Sequence, residues 1–243
     1  MESTPSRPQL RLALAASVLP AHPTARFASD EGKWIFRCSS HPFWCIVSRY
    51  LLMFTYEDIP NHFSFADVYD LAIERFPSGS TFVEVGTWFG ASAAYLATKV
   101  RSSGKRITIF AVDNFTAEGS RPPLRQKAMD VGGNFYHIFR DNLERCGVLS
   151  LVTPIISDST EAATQFEDRS LDFVFIDASH EYRKVNLDID AWLPKVKAGG
   201  ILAGHDYDPD HPQVIRAVDE HFGPRGGVAV MTHSWLYYKK VHV

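Results

Sequence analysis

The segment Thr81-Phe82-Val83-Glu84-Val85-Gly86-Thr87-Trp88-Phe89-Gly90-Ala91-Ser92 decides the fold. It begins as a short β-rich run, Thr81–Gly86, turns on two glycines four residues apart, and enters Ala91–Val100, a stretch of good helix formers. The same strand–helix rhythm continues outward. Ile107–Val112 predicts a second strand, Leu151–Ile156 a third, Leu171–Ile176 a fourth and Ile201–Ala203 a fifth. Helices are predicted over Ser159–Phe166, over roughly Asn134–Arg145, and along Val185, Ile189, Trp192, Leu193 and Val196, ending before Gly199-Gly200. Another is marked by Val214, Ile215, Val218 and Phe222, and Val228–Met231 with Trp235–Lys239 reads as a closing antiparallel hairpin. Strands that are apolar throughout are buried on both faces, so helices must cover both sides of a mostly parallel sheet. The expected class is therefore α/β and doubly wound.

Upstream the pattern is less regular. Residues 1–30, rich in Ala, Ser, Pro and Arg, read as a loosely ordered N-terminal arm, a composition that also suits a transit peptide. Residues 31–76 read as a helical N-terminal extension and 77–243 as the core, which starts at Pro77-Ser78-Gly79-Ser80. Within the extension, Phe43–Phe54 suggests a buried helix, and Ser64 an N-cap ahead of Val68, Leu71, Ala72 and Phe76. A chain of 243 residues holds one large domain, and 45% hydrophobic with 13% aromatic residues excludes a disordered protein. A net charge of -3 argues against a nucleic-acid partner. Three cysteines suit a reducing compartment, Glu2 spoils a secretory signal, and no apolar run reaches the roughly 18–20 residues of a membrane span. The expectation is a cytoplasmic protein with no membrane partner.

In open parallel sheets, ligands bind beyond the carboxyl ends of the strands. The turn after the first strand lacks the G-x-G-x-x-G spacing and places Trp88 and Phe89 where a pyrophosphate needs room, which disfavours a nicotinamide cofactor. No Lys-Ser/Thr follows Gly90, so a P-loop is excluded. After the second strand stands Asp113, placed either to accept from ribose hydroxyls or to cap a loop. After the third stands Asp158, which either accepts from an adenine amino group or caps the next helix.

Glu84, Gly86 and Gly90 in E-x-G-x-x-x-G, with Asp113, Asp158 and the ends of strands four and five, resemble a class I S-adenosylmethionine-dependent methyltransferase over about two-thirds of the chain, Thr81 to Lys240. The resemblance implies a seven-stranded Rossmann-like sheet with an antiparallel last strand, and S-adenosylmethionine as the cofactor. It implies cofactor contacts from Glu84, Gly86, Thr87, Gly90, Ser92, Asp113, Asp158 and Asp177, with Glu84 and Gly86 beside the methionine moiety. It also makes strands four and five neighbours, so that Asp177-Ala178-Ser179-His180 and Gly204-His205-Asp206 converge. D-x-x-H followed by an acid-bearing pair is similar to the metal-dependent branch that methylates sugars and other small molecules. Carried over, Asp177 and Asp206 are ligands of a divalent metal, Mg²⁺ first, and His180, with Asp177, does the catalysis as general base. His205 stands where the branch has an acid. Either the metal differs, His205 bonds a metal-bound water, or no metal binds. The expected function is O-methylation of a hydroxylated small molecule. A glycosyltransferase or other α/β transferase, and a binding module of methyltransferase fold without catalysis, are the alternatives.

Other features carry less. Asp206, Asp208 and Asp210 mimic a calcium loop or a glycosyltransferase motif, but His211 and Ala217 stand where an EF-hand needs Gly and Glu. Cys38, His41 and Cys45 lack a fourth zinc partner, and Trp34, Phe36, Phe43 and Trp44 read as N-terminal packing ahead of a substrate or dimer surface. Asn114–Gly147 is long for a connection; Arg121, Arg125 and Lys127 would serve a mobile lid over an acidic or sugar-bearing acceptor. The resemblance also implies that the helical N-terminal extension either contacts a neighbouring copy in a homo-oligomer or roofs the site.

Overall fold

The computed structural model describes residues 34–37, 44–47, 54–116, 122–224 and 227–240. Contacts divide the chain at Phe54/Thr55. In the first unit, β1 (Trp34–Arg37) pairs antiparallel with β2 (Trp44–Val47) in the register Trp34↔Val47 to Arg37↔Trp44. The helix expected over Phe43–Phe54 is thus corrected across 44–47, where Trp-Cys-Ile-Val carries β-branched and aromatic residues that favour a pleated strand. The N-terminal arm, Cys38 and His41 fall outside the described residues.

The second unit begins with α1 (Ala66–Arg75), preceded by Phe65 at the cap position. Ser64 is not the cap; its hydroxyl is engaged elsewhere, as shown below. Then come β3 (Thr81–Val85), α2 (Ala91–Ser103), β4 (Thr108–Asp113), α3 (Pro122–Asp130), α4 (Tyr136–Arg145), β5 (Val152–Ile156) and α5 (Ser159–Ala163). They are followed by β6 (Leu171–Ile176), α6 (Tyr182–Trp192), β7 (Val196–Gly204), α7 (Pro212–Phe222), β8 (Ala229–Met231) and β9 (Ser234–Tyr238). The seven strands of this unit run β5-β4-β3-β6-β7-β9-β8 across the sheet. β3, β4, β5, β6 and β7 are parallel, while β9 lies antiparallel to both β7 and β8. The expected doubly wound, mostly parallel sheet with an antiparallel C-terminal hairpin is therefore present.

Two expectations need adjusting. The helix placed through Val196 ends at Trp192, and Val196 to Gly204 forms one long strand with Gly199 and Gly200 inside it. Gly200 is accommodated because an added Cβ there would meet Val196 Cγ1 at 2.8 Å and the Asp172 carbonyl at 2.9 Å. Part of the segment read as a lid, residues 122–130, is helical, as two prolines at its start followed by Leu, Arg, Gln, Lys, Ala and Met would favour. Arg121 lies outside the described residues, and Arg125 and Lys127 are exposed.

The alternation of each strand sorts its side chains between two cores. On one face, Val83, Val85, Val174, Ile176 and Leu202 pack with Val185, Ile189 and Trp192 of α6 and with Val214 and Val218 of α7. On the other, α1 lies on an aromatic layer. Phe65 stacks on Phe175 at 4.4 Å, Tyr69 meets Phe175 at 5.1 Å, and Phe82 meets Phe173 at 5.1 Å. Each of these rings is fully buried or nearly so, and such burial contributes roughly 1.5–3 kcal/mol per side chain. The chain switches sides at β3, whose neighbours are β4 and β6. This switch point opens a crevice at the carboxyl ends of those strands.

Candidate functional site

The floor of the crevice is the glycine turn. Gly86 has φ +86°, and a Cβ on it would overlap the Asp177 carbonyl and come within 2.9 Å of Ala178 Cα. The amides interlock accordingly, with Asp177 N–H donating to Val85 O (2.7 Å) and Gly86 N–H to Val112 O (2.8 Å). Only glycine allows the β3 and β6 tips to come this close. Gly90, at φ +90°, precedes α2, and a Cβ there would meet Leu143 Cδ1 at 2.6 Å and Phe139 Cδ2 at 2.8 Å, both on α4. Both sequence-selected glycines are thus required by packing within the chain. Trp88, at φ +47°, stacks on Phe89 at 4.5 Å.

Asp113 Oδ2 accepts from the Thr87 and Trp88 amides (2.9 and 3.0 Å), and Oδ1 accepts from Phe115 N–H (2.7 Å). Burial lifts its carboxyl above the usual range, although these three amides pull the other way. Asp113 thus pins the turn in shape. Asp158 caps α5: Oδ1 accepts from the Thr160 amide (3.1 Å) and hydroxyl (2.9 Å). Of the two roles open to Asp158 in the sequence, the cap is the one visible here.

Glu84 differs from these in having no partner. It is fully buried, and neither carboxylate oxygen has a hydrogen-bond partner among the described residues. The Tyr69 hydroxyl and Thr87 Oγ1 are likewise buried and unpartnered. Burial pushes the Glu84 carboxyl up to about 8, despite the favourable influence of Ser92 and Tyr69, which stand nearby but outside hydrogen-bonding geometry. An unpaired buried acid beside a glycine turn, with two unpaired hydroxyls, is suited to a ligand that brings its own donors, above all a cationic amine.

The second wall forms where β6 and β7 end. Their pairing, Ile176↔Gly204, brings the two loops together. His180 Nε2 lies 2.6 Å from Asp206 Oδ2, and His205 Nδ1 lies 3.2 Å from Asp206 Oδ1 and 3.8 Å from Asp177 Oδ1. The ligand-capable atoms of Asp177, His205 and Asp206 lie within 4.8 Å of one another, as do those of His180, Asp206 and His211. Asp206 is a buried residue at φ +59°, a conformation non-glycine residues visit rarely and functional sites more often.

The two carboxylates are driven apart. Burial raises Asp177 to about 6, with the His205 imidazole opposing. Burial also pushes Asp206 upward, but the hydrogen bonds from His180 and His205 prevail and hold it well below the usual carboxylate range. Burial lowers His205, yet Asp206 and Asp177 together carry it above its ordinary value. Such divergence between neighbouring acids is typical of sites that do proton chemistry.

Several residues enter this site without having been singled out for it. Ser64 Oγ lies 3.0 Å from His205 Nε2, and Phe65 packs its ring 4.9 Å from the same imidazole. His211 lies with its ring tilted against His180 at 4.8 Å and bonds Asp208 Oδ1 at 3.0 Å, while His233 Nδ1 lies 3.2 Å from Asp208 Oδ2. These contacts dissolve the D-x-D-x-D motif: Asp208 is taken up by two histidines, Asp210 is exposed, and only Asp206 faces the cluster. A position in the β7–α7 loop was the one sequence signal for His211; Ser64 had none.

Taken together, the sheet order, the glycine turn and the acidic strand ends define a class I S-adenosylmethionine-dependent methyltransferase. A family model described as a methyltransferase domain matches residues 83–207, about half of the chain, and the chain belongs to that family. Membership displaces the glycosyltransferase alternative. An uncharacterized protein, y4gI, from Sinorhizobium fredii (strain NBRC 101917 / NGR234) is 27% identical over 125 residues, 51% of this chain, and the chain spans 13% of that protein's length. Among solved structures, the chain is similar to the O-methyltransferase NovP at 18% identity and TM-score 0.56, covering 72% of this chain and 79% of that one. It is similar to a SAM-dependent O-methyltransferase from Thermotoga maritima at 18% identity and TM-score 0.53, covering 86% and 78%. It is also similar to CalS11, a calicheamicin methyltransferase, at 16% identity and TM-score 0.54, covering 71% and 76%. At these identities the likeness is one of fold. Among the described residues, no helix is long and apolar enough to cross a membrane.

Proposed function

We propose that this protein methylates a hydroxyl oxygen of a small molecule, with His180 taking the proton. The observation that carries this reading is the 2.6 Å contact between His180 Nε2 and Asp206 Oδ2 at the crevice formed by the β6 and β7 ends. A carboxylate held this close orients the imidazole and stabilises the imidazolium that forms, the same logic by which a third residue serves a catalytic base elsewhere. When bound, S-adenosylmethionine supplies an electrophilic methyl on a sulfonium.

The chain's own residues then bind, orient and move a proton. Glu84, with Thr87 and Ser92 beside it, receives the donor's amine. Asp113 holds the turn, and its Oδ1, accepting a single amide, has capacity left for a ribose hydroxyl. Asp158 stands at the adenine end. His180 removes the acceptor's proton as oxygen attacks carbon, and alignment of the reacting atoms supplies the larger share of the rate, roughly 7–11 kcal/mol in favourable cases.

A groove of about 590 Å³ begins one residue beyond both His180 and His211, lined by Glu181, Tyr182, Arg183, Pro212, Gln213 and Arg216. Its volume is that of a small-molecule site, whereas the cavity among Asp177, His180, His205 and Asp206 has room for little more than a water. The acceptor body belongs in the groove and its reacting hydroxyl at His180.

The Mg²⁺ expectation does not fit the donor set. An imidazole occupies one of three positions, and Asp206 directs both oxygens at imidazoles. No step of the proposed reaction passes through that ion.

The test is a panel of hydroxylated acceptors, including phenols and sugars, assayed with S-adenosylmethionine. His180→Ala is expected to lower kcat by 10²–10⁴-fold while donor affinity, read by calorimetry, changes less than threefold. Equal kcat in wild type and variant removes His180 from the reaction. Donor binding with no turnover on any acceptor favours the non-catalytic binding module.

A further inference from the structure

We propose that Glu84 gives up a proton when the donor's ammonium group arrives, and that the Tyr69 hydroxyl, carried by α1, positions the carboxylate left behind. The inference rests on the functional reading above, which places the donor's amine beside Glu84. Its ground is a set of buried polar atoms that the donor-free chain leaves without partners.

Strand alternation decides which way Glu84 points. Val83 and Val85 pack into the core shared with α6 and α7, so the side chain between them faces the α1 side of the sheet. Its neighbours on the flanking strands are Ala111 of β4 and Phe175 of β6, and neither side chain can hydrogen-bond. Tyr69 comes from the layer above. Its ring is held edge-on by Phe175 (5.1 Å), Phe65 (5.3 Å) and Phe173 (6.0 Å), so packing fixes where the hydroxyl sits.

That hydroxyl, both Glu84 oxygens and Thr87 Oγ1 are buried and lack partners among the described residues. An ionised carboxylate in such a place is costly, and a protonated one much less so. The groups that bear on Glu84 are Tyr69 on α1, Ser92 on α2, Asp113 at the end of β4 and Asp177 just after β6, and none of these is a cation. The imidazoles of His205, His180 and His211 bear on Asp177. Glu84 is accordingly protonated in the donor-free protein, its carboxyl pushed by burial up to about 8.

A cation brought within roughly 4–6 Å reverses that preference. The Glu84 proton leaves for solvent, the ammonium keeps its own, and a buried pair of opposite charges remains. Such a pair needs hydrogen bonds as well as mutual attraction. Tyr69 can supply one, because burial, and after it the charge of Glu84, holds its hydroxyl well above the usual tyrosine range and keeps the hydrogen in place.

The experiment titrates donor-free full-length protein with S-adenosylhomocysteine by calorimetry at pH 6.5, 7.0 and 7.5. Pairs of buffers with different heats of ionisation count the protons exchanged. The demethylated donor is used because its amine, with no sulfonium nearby, stays a cation across this range. 5′-Methylthioadenosine, which has the adenosine and the sulfur but no amine, is the control. Wild type is expected to release about one proton to S-adenosylhomocysteine binding and to bind it about tenfold more tightly per pH unit, with neither effect for the control. Glu84→Gln should abolish both the release and the pH trend. Tyr69→Phe keeps the ring and should weaken S-adenosylhomocysteine by about 10–100-fold while leaving the control within twofold. It should also leave the donor-free protein at least as stable in urea, since it removes a hydroxyl that has no partner. A hydroxyl with a purely structural role would instead lower the urea midpoint and weaken both ligands alike, which overturns the assignment of Tyr69. Proton release that persists in Glu84→Gln, or Tyr69→Phe binding like wild type, overturns the proposal as well. Failure to bind S-adenosylhomocysteine at all defeats the functional reading together with this one, whereas tight binding without proton release defeats this proposal alone.

Discussion

Replacing Glu84 with glutamine should change how stability depends on pH, in a direction opposite to that of most paired carboxylates. Glu84 is fully buried with both oxygens unpaired, and burial lifts its carboxyl from 4.5 to about 8. Between these values the folded protein keeps a proton that the unfolded chain has released. Stability from this group is therefore complete below pH 4.5 and is lost as pH rises through 8. A change of this size is worth on the order of 5 kcal/mol across the whole range and roughly 3 kcal/mol between pH 5.5 and 7.5. Glutamine has the shape of the protonated acid and cannot ionise, so Glu84→Gln should gain on wild type by about 1.4 kcal/mol per unit over this interval. Urea unfolding of donor-free protein at pH 5.5, 6.5 and 7.5, read by tryptophan fluorescence, measures the difference, and groups common to both proteins cancel. A gap that stays constant with pH, or one that closes as pH rises, refutes the claim that Glu84 is buried without a partner.

Two further outcomes follow from the geometry. Gly86→Ala and Gly90→Ala carry the same left-handed penalty, on the order of 1–2 kcal/mol, but the Cβ of the first strikes backbone at Asp177 and Ala178, and that of the second strikes side-chain ends of Leu143 and Phe139. Gly86→Ala should thus cost more than about 3 kcal/mol and Gly90→Ala at least 1 kcal/mol less, measured by denaturant midpoints on both; equal losses would contradict the backbone contact. Asp158→Ala should cost about 1 kcal/mol for the lost cap of α5 and weaken S-adenosylmethionine binding about tenfold by calorimetry. Unchanged donor affinity would leave Asp158 as a cap alone.

How much of this was legible depends on the range of the interaction involved. Leu171–Ile176 was readable to the residue because a strand buried on both faces is written as an apolar run, broken here only by Asp172 near its start. The first half of β7 was not, since Lys197, Gly199 and Gly200 interrupt the run and resemble a helix stop. At 44–47, Trp-Cys-Ile-Val is as apolar as a helix segment, and only its β-forming residue types favoured the strand. The strand-end rule found Asp177, His180, His205 and Asp206 because topology alone delivers them. It missed Ser64, which lies 141 residues from its partner His205, and Tyr69, whose approach to Glu84 depends on how α1 settles on the sheet. A serine before an amphipathic helix looks like a cap in sequence, and local propensity cannot show that its hydroxyl has a distant claim on it.

The charge distribution gives these separate pieces a common logic. A glycine turn flanked by Glu84, Asp113 and Asp177 favours a donor whose reacting centre is a cation, because a bound positive charge stabilises the ionised form of acids that burial otherwise keeps protonated. In the proposed reaction, the positive charge leaves sulfur as the methyl is transferred and reappears as a proton on the base. Asp206 is the acid held ionised, with His180 at 2.6 Å, so the emerging imidazolium already faces its counter-charge. Hydrogen bonds to charged groups are worth about 1.5–3 kcal/mol, and one formed fully only after proton transfer acts on the barrier more than on binding. Asp177 is less suited to that part, because burial raises its carboxyl whereas the hydrogen bonds from two imidazoles hold Asp206 down. The two acids differ in environment and, in the proposed reaction, in use: Asp206 receives charge at the reacting end, and Asp177 sits against the Gly86 turn on the donor's side.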